Sequence, residues 1–343
     1  MATLLAGDIG GTKTLLSLVR STGDALETLA QERFPSAEWS DLAPMVNRFL
    51  AAGAGQGLER PAAACFAVAG PVQGGQARLT NLPWHLDAGR LAAECGLPVV
   101  DLVNDFAVLL YGLPHLQAHQ LAPVRAGQAA AGEPLLVLGA GTGLGVAYGI
   151  PAPGGLRAVA SEGAHGEFAA RNQEEWELRQ WLLHDLGLER LSIERIVSGT
   201  GLGHVARWLL QRDHPGGDHP LAPLARRWQQ GEEAGPPADL PAAVAAAADS
   251  GDPLACQALD LWLGAYGAVA GDLALAGLCR GGIWLAGGTA AKLLDGLQSE
   301  RFSAAFLAKG RLRASLESIP IQAITDAAVG TFSAACRARS LLG

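Results

Sequence analysis

Two stretches of this chain repeat one design. Residues 4–19 read LLAGDIGGTKTLLSLV and residues 135–150 read LLVLGAGTGLGVAYGI. Each is an apolar strand, a glycine-rich turn and a second apolar strand, and each opens a run of further strands and helices. Two independent hairpins would give the same local pattern. Glycine density at both turns favours duplication, which implies two related domains facing a shared cleft. The chain has 343 residues, enough for two domains, and 49% of it is apolar, enough for a large core in each.

The first turn invites comparison with a P-loop. GDIGGTKT, residues 7–14, nearly fits G-x-x-x-x-G-K-[ST], but Thr12 stands where the pattern requires glycine. A P-loop also runs from a strand into a helix. Here the residues after Thr14 are apolar and strand-like and stop at a Ser21–Asp24 turn, so a hairpin is expected, with a third strand over 25–34. Further along, Ser40 is suited to cap a helix carrying Leu42, Met45, Val46, Phe49 and Leu50 on one face, with Gly53 as its end. AAACFAVAG and LPVVDLV read as buried strands, each followed by helix, which predicts an α/β fold with mixed sheets. Residues 214–253, rich in Pro, Gly, Ala and charge, read as a surface excursion with short helices. GGIWLAGGTAAKLL reads as strand, turn and helix, IPIQAIT as the last strand, and 327–339 as the last helix.

Charge and cysteine content exclude several classes. The net charge of −8 argues against nucleic acid or a membrane surface as partner. Five scattered cysteines form neither metal-site spacing nor a disulfide framework, which fits a reducing cytoplasm. The N-terminus lacks the basic region of a signal peptide. The most membrane-like stretch, 254–279, is interrupted by Asp260 and Asp272 and reads as a buried helix.

Three glycine turns at strand ends offer backbone N–H groups to phosphate oxygens: Gly10-Gly11-Thr12, Gly141-Thr142-Gly143 and Gly287-Gly288-Thr289. The third opens a helix, whose dipole adds positive charge. Asp8 beside the first turn is either a Mg²⁺ ligand, direct or through water, or a turn residue. Lys13 is either a phosphate contact or a solvated strand lysine. Asn104 and Asp105 end a buried strand, where open sheets place their sites, though either is also a good helix cap. Glu162, His165 and Glu167 lie close in sequence and could bind a metal or the hydroxyls of a polyol. Glu194 is a further carboxylate or an ordinary exposed acid. Asn81, Pro83 and Trp84 form a substrate loop or a plain turn.

Taken together, GDIGGTKT, GAGTGLG, LAGG, NDF, EGAHGEFA and ERIVSG resemble, in order from residue 3 to about 340, the motifs of the bacterial hexokinase-type glucokinases. That resemblance implies a two-domain actin-like ATPase (ribonuclease-H-like) fold with duplicated mixed sheets flanking a cleft. The small domain would be 1–115 plus 322–343 and the large one 116–321. It implies a sugar site of Asn104, Asp105, Glu162, His165 and Glu194, with Asp105 as catalytic base, to which the substrate-loop reading adds Asn81. It implies an ATP site of Gly10, Gly11, Thr12, Thr142, Gly143 and Gly288, to which the reading of the turns adds Lys13, Gly141, Gly287 and Asp8, the last for Mg²⁺ directly or through water. It further implies a cytoplasmic homodimer that phosphorylates glucose with ATP. Ala164 departs from the glycine the family often has there, and the absence of cysteine after His165 favours the group without structural zinc. The alternatives are a kinase for another hexose or amino sugar, one using polyphosphate, a sugar-sensing regulator and an actin-like filament protein.

Overall fold

The computed structural model describes residues 1–23, 25–79, 82–153, 155–231 and 239–343. Packing separates two compact units: Met1–Gln120 with Ala147–Ala160 and Asp326–Gly343, and Leu121–Val146 with Ser161–Thr325.

In the first unit, β1 (Ala2–Ile9), β2 (Lys13–Thr22) and β3 (Ala25–Pro35) form an antiparallel meander in which Ile9 faces Thr14 and Lys13 faces Pro35. The GDIGGTKT stretch is therefore the tip of a hairpin, as its apolar continuation predicts. Then follow α1 (Leu42–Gly55), β4 (Ala63–Val68), a small sheet of β5 (Val72–Gln73), β6 (Gln76–Arg78) and β7 (His85–Asp87), α2 (Ala88–Cys95), β8 (Val100–Asn104) and α3 (Leu109–Gly112). Strands β4 and β8 continue the sheet in parallel, giving the order β3-β2-β1-β4-β8. The five helical-face residues of α1 are all buried. Each such burial contributes about 1.5–3 kcal/mol, which is why this helix was readable from its spacing. Its ends were not. Asp41, rather than Ser40, supplies the cap, accepting from the Leu42 N–H at 2.7 Å, and the helix continues past Gly53 to Gly55. Trp84 is 1% exposed in this core and its indole N–H donates to Trp39 O, so it serves packing.

The second sheet has the order β12-β11-β10-β13-β14-β9. It is built from β9 (Leu121–Arg125), β10 (Leu135–Ala140), β11 (Leu144–Ala152), β12 (Gly155–Ser161), β13 (Gly282–Ala286) and β14 (Ile321–Ile324). Strands β10, β13 and β14 run parallel, and β9 closes the edge antiparallel. Apart from β9, this is the strand order of the first sheet: three strands consecutive in sequence, then two that return beside the first. Duplication is thus a property of the topology as well as of the turn sequences.

Helices α4 (Gln173–Asp185), α5 (Gly199–Asp213), α6 (Ala222–Gln230), α7 (Leu240–Asp249) and α8 (Pro253–Ala276) lie between β12 and β13. By length and composition α8 could cross a membrane, but most of it is buried in the fold. Its two aspartates are ion-paired, Asp260 with Arg301 at 3.1 Å and Asp272 with Lys309 at 2.6 Å. Helices α9 (Gly288–Lys292), α10 (Leu294–Leu297), α11 (Glu300–Leu307), α12 (Arg313–Glu317) and α13 (Val329–Ser340) complete the chain. In the first unit, α13 packs on β1, β4 and α3, and Arg337 Nε binds Asp101 Oδ2 at 2.7 Å.

Candidate active site

The first glycine turn is braced from within its own unit. Gly10 N–H donates to Lys13 O at 3.0 Å, and Ser36, just after β3, ties the turn's carbonyls from the other side. Asp8 ends this arrangement on β1. Its side chain reaches water while protein surrounds the rest of it, and this partial desolvation pushes its carboxyl above the usual carboxylate range, with Lys13 pulling it back. Thr12 and Lys13 are exposed at the tip.

Asn104 is the last residue of β8 and Asp105 the first beyond it. Asn104 Nδ2 donates to Gly70 O at 3.1 Å and to Asp105 Oδ1 at 3.0 Å, and its Oδ1 accepts from Phe106 N and Ala107 N. An amide has two donors and an oxygen with two lone pairs, so the Asn104 side chain is fully engaged in shaping the turn and holding Asp105. Asp105 Oδ1 also accepts from Phe106 N at 3.0 Å. The helix expected next is short. Residues 105–108 form a turn, α3 has 4 residues, and a 3-10 turn containing Pro114 follows. The Asn104 amide sets a tight turn and the proline cannot extend a regular helix.

In the second unit the other two glycine turns meet at the end of β10. Gly141 N–H donates to Gly143 O at 2.8 Å, while Gly141 O accepts from Gly199 N at 2.7 Å. Thr200 Oγ1 donates to Thr142 O at 2.8 Å, and Thr289 Oγ1 donates to Ala140 O at 2.6 Å. Gly287, which precedes α9, has φ of +84°, a conformation that favours glycine. The α5 start, Ser198-Gly199-Thr200-Gly201, thus forms part of the same cluster. Sequence reading missed it; Ser followed by glycines before an apolar helix is a capping pattern, and Ser198 Oγ does accept from Gly201 N.

Glu194 joins this cluster rather than standing apart as a surface acid. Its Oε2 accepts from Leu144 N at 2.9 Å, and a Cβ on Gly143 would overlap its carboxylate. Its segment is pinned by Ser198 Oγ on Glu194 O and by His204 Nδ1, 2.9 Å from Arg195 O. Burial pushes the His204 pKa down, so the neutral ring donates to that carbonyl. Glu162 and His165 are exposed and 3.5 Å apart (Oε2 to Nε2), with Arg190 donating to His165 O. Glu167 leaves this pair. It binds Arg179 at 2.7 Å and lies 3.6 Å from Arg190, and the Arg179 hydrogen bond holds its carboxyl below the usual range. Asn81 lies outside the described residues. Among those described, no group of three His, Cys, Asp or Glu side chains is arranged to hold a metal.

These features match known proteins over the whole chain. A glucokinase from Synechocystis sp. is 44% identical over 348 residues, covering 98% of this chain and 98% of that one. Among solved structures, a glucokinase from an Antarctic psychrotroph superposes with a TM-score of 0.80 at 26% identity, covering 99% of each chain. A ROK family glucokinase from Streptomyces griseus, solved with glucose and AMPPNP, superposes at 0.65 over 98% of this chain and 99% of its own, at 21% identity, and shares the fold. That fold is the two-domain, actin-like ATPase fold of sugar kinases. The glucokinase family model matches residues 5–341. With glycine turns, strand-end Asn-Asp and duplicated sheets all falling within that match, the chain belongs to the glucokinase family.

Proposed function

We propose that this protein transfers the γ-phosphoryl group of ATP to the 6-hydroxyl of glucose. The observation that carries this reading is Asp105 at the end of β8, held by the Asn104 amide and the Phe106 N–H in a chain of the glucokinase family. Asp105 accepts the hydroxyl proton and orients its oxygen. A weak base suffices, because phosphoryl transfer passes through a loose transition state and depends mainly on positioning and charge neutralisation. Asn104 acts by holding Asp105. Glu162, His165 and Glu194 take the sugar hydroxyls, as carboxylate acceptors and an imidazole that can donate or accept. Asn81 belongs to the same proposed sugar set.

Gly10, Gly11, Thr12, Lys13, Gly141, Thr142, Gly143, Gly287 and Gly288 surround the nucleotide. Asp8 would hold Mg²⁺, directly or through water, and the ion when bound neutralises phosphate charge. The contact of Glu194 with Leu144 N supports a further step in this reading: a sugar carboxylate fastened to the second turn shifts with it, so acceptor and donor positions are coupled within that unit. A homodimer and a cytoplasmic location belong to this reading on the strength of the family resemblance.

An ADP-release assay across sugars and phosphoryl donors tests it. The expected outcome is ADP release that requires glucose and ATP together. Strong turnover of another hexose or amino sugar with glucose inert, or polyphosphate as the working donor, would refute it.

A further inference from the structure

We propose that Ser36 and Thr200 are positioning residues that lock the peptide planes of the two donor-binding turns, so that N–H groups and not carbonyls face the phosphates. The inference rests on the reading of those turns as phosphate sites. A Gly-Gly peptide has no Cβ on either side, so its plane can flip at little steric cost. Flipping Gly10–Gly11 would turn the Gly11 N–H inward and aim Gly10 O at an anion. Something must hold that carbonyl in.

Ser36 does so. Its Oγ donates to Gly10 O at 2.8 Å, and its N–H donates to Thr12 O at 3.0 Å. The Thr14 hydroxyl lies 3.0 Å from Ser36 Oγ. Since the single Ser36 hydroxyl proton goes to Gly10 O, Thr14 is the donor in that second bond. Ser36 and Thr14 are both 0% exposed, so water does not compete for these groups. In the second unit, Thr200 Oγ1 holds Thr142 O at 2.8 Å, which fixes the peptide carrying the Gly143 N–H. Gly199 N holds Gly141 O at 2.7 Å, which fixes the peptide carrying the Thr142 N–H. Among the described residues, the N–H groups of Gly11, Thr142 and Gly143 have no acceptor. Each turn therefore has two carbonyls tied back, one by a hydroxyl and one by a backbone N–H, and amides left for an anion.

Steady-state kinetics and ATP calorimetry on the full chain decide this. Ser36→Ala and Thr200→Val are expected to raise the ATP KM and Kd about tenfold, the size of one oriented hydrogen bond to a charged group, with the glucose KM within about twofold. Thr14→Val removes a bond of the same buried hydroxyl pair but leaves Ser36 on Gly10 O, and Thr200→Ser keeps the donor; both are expected to bind ATP like wild type. Equal shifts in Ser36→Ala and Thr14→Val, or an unchanged Kd in Thr200→Val, would overturn the proposal. If Ser36→Ala does not fold, the Thr200 pair decides alone. A wild type that binds ATP without phosphorylating glucose overturns the functional reading and leaves the clamp to these binding constants; one that binds no ATP overturns both.

Discussion

Asp8 and Lys13 form the charged edge of the first turn, and their coupling has a sign. Desolvation raises the Asp8 carboxyl and Lys13 lowers it. If ionised Asp8 holds Mg²⁺, activity is lost as pH falls through that raised pKa, because the protonated carboxyl no longer binds a cation. Lys13→Gln removes the lowering influence, so the pKa climbs further and the acid limb of kcat/KM for ATP is expected to move to higher pH. A pH–rate profile checks this; a limb that stays or moves to lower pH contradicts the role of Asp8. At this scale the sequence exposed residue types but not their company. Asp8, Asp105 and the glycines stood out because strand ends select them. Ser36 and Thr200 did not, since their partners lie 26 and 58 positions away and a lone Ser or Thr carries no periodic signal. Glu167 resembled a ligand of the Glu162–His165 pair until Arg179 and Arg190 claimed it.

Among the elements, α8 shows how glycine spacing sets packing. Gly264, Gly267 and Gly271 recur along one helix. A Cβ at Gly267 would overlap the Phe302 carbonyl, and one at Gly271 would lie 2.5 Å from Phe306 O, so α11 approaches α8 at backbone distance. Alanine gains about 1 kcal/mol of helix propensity over glycine. A backbone carbonyl cannot rotate away as a side chain can, so the overlap separates the helices at a cost toward the upper end of the about 1–3 kcal/mol of overpacking, more than that gain. Gly267→Ala is therefore expected to lower Tm by several degrees in a thermal melt; an equal or higher Tm contradicts this packing. The elements themselves were mostly readable, because the continuous apolar runs of β1 and β2 and the i, i+3, i+4 spacing in α1 report burial directly. Boundaries were not. Ser40 and Asp41 are both capping types, and only the fold shows which one accepts. The apolar run after Asp105 promised a longer helix than α3, because the saturated Asn104 amide leaves no trace in hydrophobic pattern.

Across the whole molecule, the repeated strand order explains why two glycine turns of one design occur in one chain. Each sheet presents its turn between the first two strands of a three-strand run, and each turn is braced by its own unit: Ser36 in the first, and Gly199, Thr200 and Glu194 in the second. The repeat was legible as two similar stretches; the antiparallel β9 edge and the return of residues 147–160 to the first unit were not, since neither alters local pattern. In the proposed reaction, turnover hinges on Asp105. The most direct test is turnover of Asp105→Asn with ATP and glucose, alongside glucose binding by calorimetry. The amide keeps the shape and the hydrogen bonds to Asn104 and Phe106 within reach but cannot take the proton. The expected kcat is lower by about 10²–10⁴-fold, with glucose affinity within severalfold of wild type. Turnover near that of wild type would contradict it.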